Sequence, residues 1–132
     1  MSKPNLKKII ALRLGLMEDL SSSSEFEKGD IIATFANKKC NENWEKDCRR
    51  ALANIYITKL GLEISFKTGV RALEESCRIF DHLARKNRLI RVWARDVYMI
   101  FGGYLYKHGE FKRAVIQFEI FIVVYYQDVW CC

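Results

Sequence analysis

Apolar residues recur every three or four positions along most of this chain, which is the spacing of one face of an α-helix. Such stripes cover residues 4–20, 25–39, 43–66, 70–84, 89–107 and 110–127. A single proline, only seven glycines and abundant leucine, isoleucine, alanine, lysine and glutamate also favour helix. The sequence therefore predicts an all-α chain of about six helices.

The segment 98–118 gives the clearest local prediction, which is two antiparallel helices and the turn between them. Gly102 is small enough to let a second helix approach closely, and Lys107-His108-Gly109 places glycine where a turn needs a positive φ. Ala114 and Phe118 stand four residues apart, so they share one face of the second helix.

This hairpin resembles a tetratricopeptide repeat. The spacings match that family's packing positions at Tyr98, Phe101, Gly102, Leu105, Gly109, Phe111, Ala114 and Phe118. The resemblance covers one repeat well and the remainder loosely. It implies three stacked hairpins in a right-handed superhelix, whose concave face, lined by the first helix of each hairpin, binds a peptide or helix of another protein.

A similar tripeptide that occurs twice in the chain supports the interpretation as a repeat. Lys67-Thr68-Gly69 resembles Lys107-His108-Gly109 at a distance of 40 residues, which predicts a turn near Gly69 at the end of a helix that reaches residue 66. We divide the single domain, residues 1–132, into a degenerate helix pair (1–40), a second hairpin (43–86), a third hairpin (88–127) and a tail (128–132).

Composition and charge limit the kinds of function that we expect of this chain. Half of the 132 residues are hydrophobic, which is enough for one independent core. The net charge of +6 permits attraction to acidic protein, nucleic acid or lipid without selecting one of them. Neither His82 nor His108 belongs to a readable catalytic or metal-binding set, so we expect a protein without enzymatic activity, cofactor or metal.

The five cysteines show no spacing typical of a disulfide framework or a zinc site. Charged residues interrupt the N-terminal apolar segment, and no apolar tract reaches the roughly 20 residues that span a bilayer. These features predict reduced thiols in the cytoplasm or nucleus. The terminal Cys131-Cys132 pair resembles a double-prenylation ending, with an unmodified tail as the alternative.

A basic cluster is the best candidate for charged recognition. Arg88, Arg91 and Arg95 are spaced to share one helix face, and guanidinium groups suit carboxylates or phosphates. The alternative is that the cluster pairs with nearby acids such as Asp81 and Asp96 and solvates a hairpin junction.

Met99, Tyr106 and Lys107 are the other candidate partner-binding residues. Met99 and Tyr106 are seven residues apart and predict an apolar, aromatic groove, unless both belong to the core. Some tetratricopeptide domains grip a terminal carboxylate with lysine, asparagine and arginine on the concave face. At the corresponding positions of this chain only Lys107 is of the right type, so we expect no such clamp.

Two further functions stay open. A small basic helical protein could bind nucleic acid through a wall that contains Lys7, Lys8, Lys38, Lys39, Arg49, Arg50 and the 85–95 cluster. The last helix, rich in Val123, Val124, Tyr125 and Tyr126, could instead bury its outer face against a second copy of the chain.

Overall fold

The computed structural model describes residues 2–126, and its regular structure over that range is helical throughout, which confirms the all-α prediction. The helices are α1 (Leu6–Ser21), α2 (Lys28–Ala36), α3 (Asn43–Lys59), α4 (Phe66–Lys86), α5 (Arg91–Lys107) and α6 (Phe111–Ile120). A 3₁₀ turn, Arg88–Ile90, precedes α5, and a π-helical turn, Phe121–Tyr126, continues α6. The predictions for Gln127, the 128–132 tail, Cys131 and Cys132 lie outside the described residues.

Each helix packs mainly against the helices that precede and follow it, so the chain forms a stack of helical hairpins. The core runs through this stack and is richest on α3 and α4. Its largest fully buried side chains are Ile9, Leu16, Ile32, Leu52, Leu73, Phe80, Leu83, Ile90 and Leu105. The Ser76 hydroxyl joins α4 to α3 by donating to the Ala51 carbonyl at 2.9 Å.

The first hairpin is shorter than predicted. Asn5, whose side chain accepts the Lys8 amide, caps α1 one residue after the predicted start at Pro4. Ser21, the last residue of α1, and Ser22, which follows it, both donate to the Glu18 carbonyl in its last turn. Helix α2 then begins at Lys28 and ends at Ala36, inside the predicted 25–39.

The predicted turn at Lys67-Thr68-Gly69 is wrong. Helix α3 ends at Lys59, and Gly61, with φ of 67°, reverses the chain. Ser65 then caps α4 by accepting the Thr68 amide at 3.2 Å. Gly69 lies inside α4 and not in a turn. A glycine is needed there because a Cβ would overlap the Tyr104 side chain of α5. The two turn glycines are therefore Gly61 and Gly109, and the similar tripeptides 40 residues apart do not mark the repeat.

The turn between α5 and α6 is the predicted one. Gly109 has φ of 79°, and the Glu110 amide donates back to the Leu105 carbonyl at 2.9 Å. Gly102 of α5 faces the Phe118 ring of α6 so closely that a Cβ would overlap it. Ala114 is also fully buried. The small residues at positions 102 and 114 thus let α5 and α6 pack together as predicted.

Within residues 2–126 no helix is long and apolar enough to cross a membrane.

Two neighbouring glycines give a matched test of the α5–α6 contact. Gly102→Ala should lower the free energy of unfolding by about 1–3 kcal/mol because its methyl group overpacks against Phe118. Gly103 is exposed, with nothing near its added methyl, so Gly103→Ala should raise the free energy by about 0.5–1 kcal/mol through helix propensity. Urea unfolding followed by circular dichroism measures both, and shifts of the same sign would contradict the packing described.

Candidate interaction surface

Helix α5 carries a stripe of exposed apolar side chains. Val92, Met99 and Tyr106 are 50%, 43% and 60% exposed and follow one another at seven-residue intervals. Seven residues make nearly two helical turns, so the three side chains lie along one face over about 21 Å. The alternative that Met99 and Tyr106 belong to the core is wrong. Val92 was missed, although the same spacing extended backwards from Met99 would have found it.

The stripe is uneven. Gly103 lies between Met99 and Tyr106 on the same exposed face, and a Cβ at this position would meet no atom within 4 Å. The missing side chain leaves a depression beside the two apolar side chains. At the far end, the Tyr106 ring meets the Phe111 ring edge to face, with 5.1 Å between centroids. Phe111 is itself 57% exposed, so the apolar surface continues onto α6.

The basic cluster does not stand free as one patch. Arg88 is exposed on the 3₁₀ turn, whereas the Arg91 guanidinium lies 5.1 Å from the centre of the Tyr125 ring and donates to the Val124 carbonyl at 3.3 Å. Arg95 pairs with Asp96 at 3.3 Å and lies 5.7 Å from the Phe121 ring. Two of the three arginines therefore contact the π-helical turn.

Asp81 of α4 ties that turn to the body of the protein. Its carboxylate accepts hydrogen bonds from the hydroxyls of Tyr98, at 2.5 Å, and Tyr125. The two tyrosine rings stack at 5.8 Å. Burial, and then the hydrogen bond to Asp81, raises the pKa of both tyrosines, so the hydroxyls stay protonated as donors. The sequence predicted Asp81 only as a partner for arginine. Its hydrogen bonds to the two tyrosines could not be predicted, because both tyrosines are distant from Asp81 in the sequence.

Lys107 lines a small cavity beside the stripe. The cavity has a volume of about 260 Å³ and lies between the end of α3 and the last turns of α5. Lys59, Glu63 and His108 also line it, so charges of both signs face the space. The His108 ring packs against Tyr104, with centroids 4.4 Å apart, and its Nδ1 lies 2.8 Å from the Tyr104 carbonyl. His108 thus stabilises the turn in addition to bordering the cavity.

Part of the basic wall predicted for nucleic acid is neutralised. Arg49 is only 7% exposed, and Glu45 holds both Arg49, at 3.5 Å, and Lys8, at 3.0 Å. Arg50 pairs with Glu75 at 3.0 Å. Among the described residues, the members of the wall that are exposed without an acidic partner are Lys7, Lys38, Lys39, Arg85, Lys86 and Arg88.

The last helix exposes an apolar outer face. Val115, Ile116, Ile122 and Val123 are each between 51% and 57% exposed. Val124 is also exposed, and pairing of this face with a second copy stays a prediction. Tyr125 is not part of this face, because it is 8% exposed and faces Asp81.

The thiols within residues 2–126 are poor nucleophiles where they are buried. Burial raises the pKa of Cys48 to about 12 and also raises the pKa of Cys77. A thiol needs its thiolate form to attack an electrophile, so neither cysteine is activated. The same part of the chain holds no group of three metal-ligating side chains.

Comparison with protein-family models, curated proteins and solved structures finds no match to this chain. The tetratricopeptide resemblance therefore stays a prediction.

Alkylation distinguishes the described cysteines. Iodoacetamide at pH 8 should modify Cys40, which is half-buried at the surface, and should leave Cys48 and Cys77 unmodified until the protein is unfolded in guanidinium. Mass spectrometry of a protease digest measures each site. If Cys48 reacted in the folded protein as fast as Cys40, the described packing of α3 would be wrong.

Proposed function

We propose that this protein is a non-catalytic interaction module that binds an amphipathic helix of a partner protein along α5. The observation that carries the proposal is the exposed stripe of Val92, Met99 and Tyr106. Single exposed apolar residues are ordinary on protein surfaces, but several at regular spacing along one helix favour an interaction site. The Arg95–Asp96 ion pair separates Val92 from Met99 and Tyr106 on this face. The tetratricopeptide resemblance is part of the proposal, and the Gly102–Phe118 contact supports it.

A partner helix fits this surface better than an extended strand does. Apolar side chains repeated at seven-residue intervals match a second helix, which presents its own apolar residues at i, i+3, i+4 and i+7. The depression at Gly103 provides room for one large side chain of the partner between Met99 and Tyr106. Every described side chain of the stripe sits on one rigid helix, so little ordering is needed on this side of the complex.

The flanking charges favour an acidic partner. Arg88 is exposed near one end of the stripe and Lys107 near the other. Carboxylates on the rim of a partner helix would approach these cations, which increases the association rate more than the affinity. Ion pairs with acids reduce the contribution of Lys8, Arg49 and Arg50 to this field. Salt screens the charges that lie more than about 8 Å away.

A substitution on the stripe tests the proposal. Helical peptides are selected on the parent protein from a random library, and their affinity is measured by fluorescence anisotropy. Met99→Asp should weaken binding at least tenfold because it places an unpaired carboxylate in the apolar contact. Stability should change by no more than about 0.5 kcal/mol, since the side chain is exposed.

Phe26→Asp is the matched control. Phe26 is 97% exposed and lies in the loop between α1 and α2, two helices that pack mainly on each other and on α3, so the same change of an apolar residue to aspartate should leave peptide affinity unaltered. Peptides that bind Met99→Asp as tightly as the parent would contradict a site on α5.

Self-association is the second candidate function, and the exposed outer face of α6 favours it. Val115, Ile116, Ile122 and Val123 belong to the last helix of the stack, which has no following described hairpin to cover it. An uncovered outer face in a helical stack is usually polar, whereas this face carries four exposed apolar side chains. A second copy of the chain would cover the apolar face here.

A further inference from the structure

The outer face of α6 carries two charges in addition to its apolar side chains. Lys112 and Glu119 are both exposed, and neither makes an ion pair within residues 2–126. They are seven residues apart, so they lie on the same face, with Val115 and Ile116 between them. Along the helix, the face therefore carries a basic residue, then two apolar residues, then an acidic residue.

We propose that two copies of the chain pair antiparallel through this face, with Lys112 of each copy opposite Glu119 of the other. The proposal rests on the self-association named above and specifies its register. A two-fold axis between Val115 and Ile116 exchanges the basic and acidic ends, so both ion pairs form at once. It also places each Val115 against an Ile116 of the second copy.

Self-complementarity is the reason to choose a second copy as the occupant. A two-fold interface uses the same patch on both subunits, so a patch is suitable only if it matches itself after rotation. The order Lys112, Val115, Ile116, Glu119 meets this condition when it is reversed, because each charge meets its opposite and each apolar residue meets an apolar one. A parallel arrangement would instead place lysine against lysine.

The orientation of this face is fixed by contacts already described. Gly102 seats Phe118 on the inner side of α6, and Asp81 holds Tyr125 at the end of the π-helical turn. Ile116, two residues before Phe118, consequently faces away from α5, and Val115 and Ile122 are exposed at the flank of the helix. One helix face buries less than the roughly 800 Å² per partner of a standard interface, so we expect a micromolar dimer.

Charge reversal tests the register. Sedimentation velocity over a range of concentrations gives the dimer dissociation constant of the parent and of three variants. Lys112→Glu alone and Glu119→Lys alone should each weaken the dimer about tenfold, because symmetry turns both attractive pairs into repulsive ones. The double variant K112E/E119K should recover the parent constant within about twofold, since both pairs are restored with inverted signs.

Lys46→Glu is the control for net charge. Lys46 is exposed on α3, and its reversal changes the charge as Lys112→Glu does, so the dimer constant should not move. A parent protein that is monomeric at every concentration would overturn both the self-association and the register. A dimer that both single reversals leave unchanged, or that the double variant fails to restore, would overturn the register alone.

Discussion

The contact between Gly102 and Phe118 is the constraint on which the C-terminal half of this molecule depends. A glycine in the middle of α5 costs about 1 kcal/mol relative to alanine in helix propensity, and the close approach of the Phe118 ring explains why a glycine is there. Once α6 is seated against this position, its opposite side has to face away from α5. The exposure of Ile116 follows from that geometry.

The sides of α5 differ in what they pack against. The side towards α4 is core, with Val97 almost fully buried. The side towards the π-helical turn holds Arg91 and Arg95 against aromatic rings and carbonyls. The remaining side carries Met99 and Tyr106, which are both exposed, and the Tyr106 ring meets Phe111 there. A helix that is packed on two sides and apolar on the third is well suited to receive a partner.

Local chemistry was sufficient to predict most of the helices and one of the two well-defined glycine turns. Gly109 was found because lysine and histidine precede it, whereas Gly61 is hidden between Leu60 and Leu62, which look like parts of an apolar stripe. Gly69 misled the prediction because a glycine that relieves a crowded helix contact has the same sequence signal as one that allows a turn. Only the position of Tyr104 in space separates these two cases.

The candidate site was also predictable only in part, because its spacing is a local property of the sequence and its exposure is not. Seven-residue spacing identifies Met99 and Tyr106 as neighbours, but exposure depends on which elements pack on the helix. The spacing of Arg91 and Arg95 was correct, yet their partners come from a turn about 30 residues later in the chain. The Asp81 hydrogen bonds join three elements and have no local sequence signature.

The central claim is that α5 presents Met99 and Tyr106 to a partner helix, and hydroxyl-radical footprinting tests it most directly. Met17, 40% exposed on α1, serves as an internal reference for Met99, which is 43% exposed. In the free protein both methionines should oxidise at similar rates, and a bound library-selected helical peptide should protect Met99 and Tyr106 while leaving Met17 unchanged. Protection of Met99 in the free protein, or equal oxidation of Met99 with and without the peptide, would contradict the account.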